Sequence, residues 1–292
     1  MSIILADRVR AAFPFEVEKF RLSGPDNMTT PHFGLFRNDT SECIGNAVSA
    51  DYVPHNVDDI TVLCDACQAV FTDFSNITTH WRAGHYVLAR PSAEHRKSIF
   101  VAGDKSNDTV WPELRISGGY DGKPFRASIS LFRDRCLNLI NLTTVALCVR
   151  TIRHTTNMRE RMKELVLVFQ NLANNWQVMG ERAQQMAERR VVLADYLSQV
   201  FPEVPDSKRG QTLHKAMIEE IVGRISEEHR LMGIDSIREP SAWTAFNGIQ
   251  GYQQHSTRPK QTSVARMIAG LDDTEINKLL YRAERIALGL SV

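Results

Sequence analysis

Two cysteines and two histidines have the spacing of a zinc site, in the order Cys64-x2-Cys67-x12-His80-x4-His85. Thiolate and imidazole ligands at such intervals hold tetrahedral zinc in small finger domains. The stretch 58–71, however, carries its apolar residues at helical spacing, whereas a finger places its cysteines on a hairpin. We therefore expect buried thiols and unrelated histidines, with no bound metal or cofactor. Zinc binding stays open as the alternative.

Residues for catalysis are sparse. No phosphate-cradling glycine loop precedes a Lys-Ser or Lys-Thr pair, so ATP hydrolysis is not expected. Asp104, Asp108 and Glu113 are acids that a metal-dependent nuclease would need, but they accompany Lys105 and Ser106 and lack a Glu-x-Lys element. We expect a solvated loop here and no enzymatic activity.

Basic residues are concentrated in one part of a chain whose net charge is only +1. Residues 115–163 contain ten basic and three acidic side chains, a local net charge of +7. Clustered Lys and Arg are the electrostatic footprint of a nucleic-acid binder. The alternative is a solvated face whose acidic partners lie elsewhere in the fold.

Single strands are held by cations along the phosphates and by aromatic faces stacked on bases. Tyr120, Phe125 and Phe132 alternate with the basic residues and are candidate stacking residues. A place in the core is the alternative for Phe125 and Phe132. A second basic loop follows Tyr252. The predicted nucleic-acid-binding set is Lys123, Arg126, Arg133, Arg135, Arg150, Arg153 and His154, with Arg258 and Lys260 from the second loop. This prediction requires that the central arginines come together in space.

The elements that must position these residues differ between the two halves of the chain. Before residue 150, short alternating segments and turn signals predict strands, with one helix at about 57–73. The predicted extended segments are 33–37, 43–53, 85–89, 98–101, 113–117 and 125–131.

From Met158 onward, apolar residues recur with a 4-3 spacing that predicts one long helix at about 157–201. Amphipathic segments at 213–232 and 263–288 offer packing partners, and pairing with a second copy as a coiled coil is the alternative. We predict an α+β protein with a sheet-containing part at 1–150 and a helical part at 151–292.

The composition also indicates a location. The longest apolar runs fall far short of the roughly 20 residues of a membrane span, and the first residues lack a signal-peptide layout. Five cysteines, an odd number, do not suggest a disulfide framework. We expect a cytoplasmic protein with reduced thiols and no membrane partner.

Several strings together resemble the phage/plasmid-like family known as domain of unknown function 932. They are Gly34 to Gly45, Ala50 to Asn56, Gly84 to Pro91, Gly119-x-Asp121-Gly122, Phe132-Arg133-x-Arg135-Cys136-x-Asn138, and Trp243-x3-Asn247-x4-Tyr252-x2-His255. The resemblance implies a helix in the Cys64 region and a role in phage or plasmid replication or recombination. At Asp134 and Arg135 the chain departs from the family pattern.

In size and layout the chain also resembles, more loosely, the single-stranded-DNA-binding RNA polymerase cofactors of N-four-like phages. We therefore predict a phage-type, non-enzymatic protein of the infected host cell that binds single-stranded DNA with little sequence preference and acts in phage transcription, replication or both. Phage RNA polymerase is a candidate partner, and self-association is an open possibility. The alternatives are a single-strand annealing recombination protein, a metal-dependent DNA-processing enzyme, and an interaction protein built on the long helix.

Overall fold

The structure, a computed structural model, describes residues 5–68, 71–80, 84–91, 96–104, 108–120, 124–133, 139–140, 149–256 and 274–291. It confirms the predicted α+β class. The helices are α1 Leu5–Ala12, α2 Val57–Cys67, α3 Met158–Glu188, α4 Leu193–Val200, α5 Lys208–Met232, α6 Ala242–His255 and α7 Thr274–Leu288. The strands are β1 Val17–Ser23, β2 Thr29–Arg37, β3 Cys43–Val48, β4 Phe71–His80, β5 Gly84–Pro91, β6 Lys97–Ile99, β7 Asp108–Gly118, β8 Phe125–Arg133, β9 Leu139–Ile140 and β10 Val149–Ile152.

The strands form two antiparallel sheets. The smaller has the order β1-β2-β3. The larger has the order β10-β8-β7-β5-β4, with β6 paired to β7 and β9 paired to β8. The predicted extended segments before residue 132 all overlap strands, so the period-two patterns were reliable guides.

By compactness the chain divides into two units, each assembled from three stretches. Unit 1 contains residues 1–95, 112–129 and 147–176, and unit 2 contains residues 96–111, 130–146 and 177–292. The proposed domain division at residue 150 stays a prediction, because a compact unit need not be an independently folding domain.

In unit 1, the small sheet contributes a core in which Val17, Leu35 and Val48 pack with Tyr52 and Tyr120. Helix α2 begins at a capping box in which the Asn56 backbone N–H donates to Asp59 Oδ2 at 2.8 Å. The helix predicted at about 57–73 is shorter in the structure, because α2 ends at Cys67 and β4 begins at Phe71. The threonines and isoleucine of 72–79 favour an extended backbone.

In unit 2, helix α6 is buried along most of its length. Trp243, Phe246 and Ile249 are fully buried, and so are most of the polar residues between them. The Ser241 hydroxyl caps the helix by accepting from the Thr244 backbone N–H at 3.1 Å. Because α6 has no solvent face along this stretch, its sequence lacks the amphipathic period, and sequence analysis did not predict it as a helix.

The single helix predicted at 157–201 is two helices. Between α3 and α4, the Val191 N–H donates to Pro240 O at 3.1 Å and the Leu193 N–H donates to Arg238 O at 3.0 Å. The Ala242 N–H donates in turn to Arg189 O at 2.7 Å. These bonds replace the helical ones over a stretch that includes the β-branched pair Val191-Val192, which favours an extended backbone.

The apolar positions at the start of α3 are buried in the single chain. Met158, Met162, Leu165 and Phe169 are each less than 5% exposed, which supports packing within the chain over the coiled-coil alternative for this part of the seam. Self-association stays a prediction. None of the helices in the described ranges is both long and apolar enough to cross a membrane.

Candidate nucleic-acid interface

Arg133, at the end of β8, lies in the interior of unit 2. It is 0% exposed, and its Nε donates to Asp108 Oδ2 at 2.6 Å while its Nη2 donates to Glu228 Oε1. The Trp243 indole N–H donates to the same Asp108 oxygen at 2.9 Å. We call Asp108, Arg133, Glu228 and Trp243 the buried arginine cluster. The guanidinium therefore holds two carboxylates away from solvent, which is unfavourable for the predicted contact of Arg133 with phosphate.

The acidic residues assigned to a solvated loop are also buried. Asp108 and Glu113 belong to β7 and are 0% and 1% exposed. Arg115, two residues further along, is 3% exposed, and burial lowers the pKa of its side chain to about 10 despite the opposing effect of Glu113. Nine of the eleven positions of β7 are buried, so the solvated-loop prediction is corrected for these two acids.

His154 belongs to an aromatic cluster inside unit 1. Its ring stacks on Tyr52 with the centroids 4.6 Å apart, and its Nδ1 lies 2.9 Å from Val53 O. His154 is only 7% exposed. The ring is thus already packed within the core, and its contact with DNA stays a prediction.

The aromatic residues proposed to stack on bases share this interior position. The Tyr120 ring stacks on His55 at 4.6 Å, and the Phe125 ring meets His55 edge-on at 5.5 Å. Tyr120 is 5% exposed and Phe125 is 0% exposed, and burial raises the pKa of the Tyr120 phenol. Gly118 makes room for the cluster, since a Cβ there would lie 2.6 Å from His55 Nε2. The burial of Phe125 fits the alternative that it is a core residue, and Tyr120 is also packed in the interior of unit 1. The side chain of Phe132 is outside the described part of the structure.

Four cations at the entry to α3 are exposed. Arg153 follows β10, and Arg159, Arg161 and Lys163 lie in the first two turns of the helix. None of the four has an ion pair with another described residue. We call residues 153–163 the cationic segment.

The cationic segment is held by its apolar neighbours. Met158 and Met162 are buried, so this face of α3 points to the interior and the basic residues lie on the remaining faces. Arg159 and Lys163 are four residues apart, so two like charges are neighbours on the helix surface. The N-terminus of a helix carries partial positive charge of its own, which adds to the local potential.

The strand before the cationic segment brings further basic residues close in the backbone register. In the β10–β8 pair, Arg150 lies opposite Ala127 and Thr151 lies opposite Arg126. Arg126 is partly exposed, and burial lowers the pKa of its side chain. The remaining predicted contacts, Lys123, Arg135, Arg258 and Lys260, lie outside the described residues, as does the side chain of Arg150.

The predicted cysteine pair lies on α2 and is buried. Burial raises the pKa of the Cys67 thiol to about 12 and raises that of Cys64 further. Protonated thiols are poor metal ligands. Among the described side chains, which do not include those of His80 and His85, no group of three potential ligands could hold a metal ion.

The buried arginine cluster was not foreseen. Arg133 and Trp243 belong to separate strings of the family resemblance, but no local pattern joins residues that are more than a hundred positions apart. The strings were the one signal that could have pointed to this cluster.

No curated protein and no solved structure matches the chain. A family model described as a domain of unknown function, DUF932, matches residues 49–279, which is well over half of the sequence. The chain therefore belongs to the DUF932 family.

Proposed function

We propose that this protein binds single-stranded DNA with little sequence preference, and that the cationic segment is part of its contact surface. The observation that carries the proposal is the exposure of Arg153, Arg159, Arg161 and Lys163 without an ion pair among the described residues. Phosphates of a nucleic acid would supply the missing counter-charges and release condensed ions from the strand.

The like-charged neighbours Arg159 and Lys163 strengthen this proposal. Such a pair at i and i+4 costs a helix roughly 0.2–0.5 kcal/mol. A purely structural helix gains nothing from that arrangement, whereas a phosphate lying between the two side chains would reverse the sign of the interaction.

The proposal of little sequence preference follows from the kind of side chain available. The segment offers guanidinium and ammonium groups for phosphates, and two of the predicted stacking residues, Tyr120 and Phe125, are buried in unit 1. Contacts to phosphate fix position but carry no sequence information. The preference for a single strand rests on the looser resemblance to the cofactors of N-four-like phages, and a role in phage replication or recombination rests on the resemblance to the family. Recruitment of a phage RNA polymerase stays a prediction.

Fluorescence anisotropy with a labelled oligonucleotide tests the proposal. Arg159→Glu combined with Lys163→Glu should weaken binding of single-stranded DNA by more than about tenfold, because two attractive contacts become repulsive. Lys208→Glu with Arg209→Glu is the matched control, since these exposed residues at the start of α5 undergo the same change of charge. The control should bind like the wild type.

An unchanged dissociation constant for the 159/163 variant would remove the cationic segment from the contact surface. Tighter binding of duplex DNA or RNA than of single-stranded DNA would correct the proposed ligand. Two further assays with the wild type separate the alternatives: accelerated pairing of complementary strands would indicate an annealing protein, and cleavage with magnesium or manganese would indicate a nuclease.

A further inference from the structure

A cleft of about 460 Å³ lies in unit 2 between α5 and α6. We call it the α5–α6 cleft. Its lining is rich in acids and glycines: Glu220, Gly223, Arg224, Glu227, Glu228, Leu231, Asn247, Gly248, Gly251 and His255. Glu228 therefore belongs both to this cleft and to the buried arginine cluster.

The rim acids have their own cations. Glu220 accepts from Arg224 Nη2 at 2.8 Å, and Glu227 accepts from Arg230 Nε at 2.8 Å. The pairing with Arg230 lowers the pKa of the Glu227 carboxyl. Glu227 uses both of its oxygens on Arg230, whereas Glu220 uses only Oε1 on Arg224. Among the described residues, Glu220 Oε2 is therefore left as an acceptor at the rim.

The buried cluster, in contrast, has one cation for two acids. Arg133 is shared by Asp108 and Glu228, and neither acid has another cationic partner among the described residues. One negative charge is therefore left without compensation. Taking a charge out of water is costly unless an opposite charge or several donors stabilise it.

Glu228 places this uncompensated charge at the wall of the cleft. The residue is 8% exposed, and its Oε1 is taken by Arg133. Its second oxygen, Oε2, has no hydrogen-bond partner in the part of the chain that the structure describes. An almost fully buried carboxylate thus lines the cleft with one acceptor oxygen unused.

The geometry of the unused acceptor selects the cation. A guanidinium binds a carboxylate best with two parallel hydrogen bonds, which require both oxygens. Only Oε2 is available at Glu228, and an ammonium group, a compact charge with three donors, needs only one. Glu220 lies two turns earlier on α5, about 12 Å along the helix axis from Glu228, so a second ammonium on a linear chain could reach it.

We propose that the α5–α6 cleft binds a linear aliphatic polyamine, with one ammonium group donating to Glu228 Oε2 and another lying near the Glu220 rim. Gly223 leaves open space at the cleft for the methylene chain, since a Cβ there would meet nothing within 4 Å. This site is separate from the proposed DNA contact and does not depend on it.

Calorimetric titration of the full chain with spermidine tests the site, with butylamine as the single-charge comparison. Spermidine should bind at least about tenfold more tightly than butylamine, since it has a second charge for the rim. Glu220→Gln should weaken spermidine binding about threefold or more, whereas Glu219→Gln, a neighbouring acid that does not line the cleft, should leave it unchanged.

Steric closure provides a second test that leaves the charges intact. A Cβ at Gly223 would meet nothing within 4 Å, so Gly223→Leu can fold and fill part of the cleft. We expect it to lower spermidine affinity more than about tenfold, with Gly223→Ala as the matched control that changes the helix but adds only a methyl group.

Three results would overturn the proposal: no binding of spermidine by the wild type, equal affinity for spermidine and butylamine, or unaltered affinity in Gly223→Leu. Glu228→Gln removes the carboxylate proposed to hold the first ammonium group and should abolish spermidine binding. If that variant does not fold, the Gly223 pair still decides the outcome.

Discussion

Arg133 and Arg159 come from the same basic stretch of the sequence, yet the structure gives them opposite surroundings. Arg133 is fully buried and bonded to two carboxylates, whereas Arg159 is exposed and has no ion pair among the described residues. The first is part of the interior of unit 2, and the second can act on a ligand. The comparison teaches that a local net charge of +7 overstates the charge offered to a nucleic acid, because some of it is already compensated.

The two arginines should also differ in how they respond to perturbation. A buried ion pair is shielded from salt, and removing one partner leaves the other charged group buried alone. An exposed cation contributes little to stability, and dissolved ions screen it.

The largest difference is expected in stability. Arg133→Ala should lower the free energy of unfolding by about 3–5 kcal/mol, because Asp108 and Glu228 would face each other without a cation. Urea unfolding followed by circular dichroism measures the loss. Arg153→Ala is the exposed control and should change stability by less than about 0.5 kcal/mol. A loss below about 1 kcal/mol for Arg133→Ala would show that the ion pairs of Arg133 contribute little to stability.

The second largest difference is expected in the response of the two regions to salt. If the four exposed cations each neutralise one phosphate, raising monovalent salt from about 50 to 200 mM should weaken single-strand binding about fiftyfold. The cost of Arg133→Ala should stay the same over this range, because the buried pairs are out of reach of dissolved ions. A binding constant insensitive to salt would contradict the electrostatic proposal.

The indole of Trp243 offers a smaller test of the buried region. Trp243→Phe removes the N–H that donates to Asp108 Oδ2, and it should lower the free energy of unfolding by about 1.5–3 kcal/mol. Asp108→Asn and the double variant complete a mutant cycle. Strictly additive effects in that cycle would show that the two side chains are not coupled.

The smallest effect is expected at the exposed pair and has the opposite sign. Arg159→Gln with Lys163→Gln removes a like-charge repulsion, so the free energy of unfolding should rise by roughly 0.2–0.5 kcal/mol while DNA affinity falls. Thermal unfolding beside the anisotropy titration measures both quantities. A variant that loses stability would indicate that these cations have acidic partners in solution.

Local patterns predicted much of the fold. The alternating segments at 85–89, 113–117 and 125–131 lie in β5, β7 and β8, because a strand's two faces repeat every second residue. The start of α2 followed from Asn56 and the acids of its first turn. Helix α6 escaped prediction because burial on all sides removes the amphipathic period that sequence analysis depends on.

The sequence by itself determined that this chain is an α+β protein with a cluster of basic residues at 115–163, because periodicity and charge can be read from neighbouring residues. Only the tertiary structure decided which basic residues remain available. Asp108, Arg133, Glu228 and Trp243 come from β7, β8, α5 and α6, and their meeting depends on how those elements pack. Burial and pairing are properties of that packing, and no window of neighbouring residues contains them.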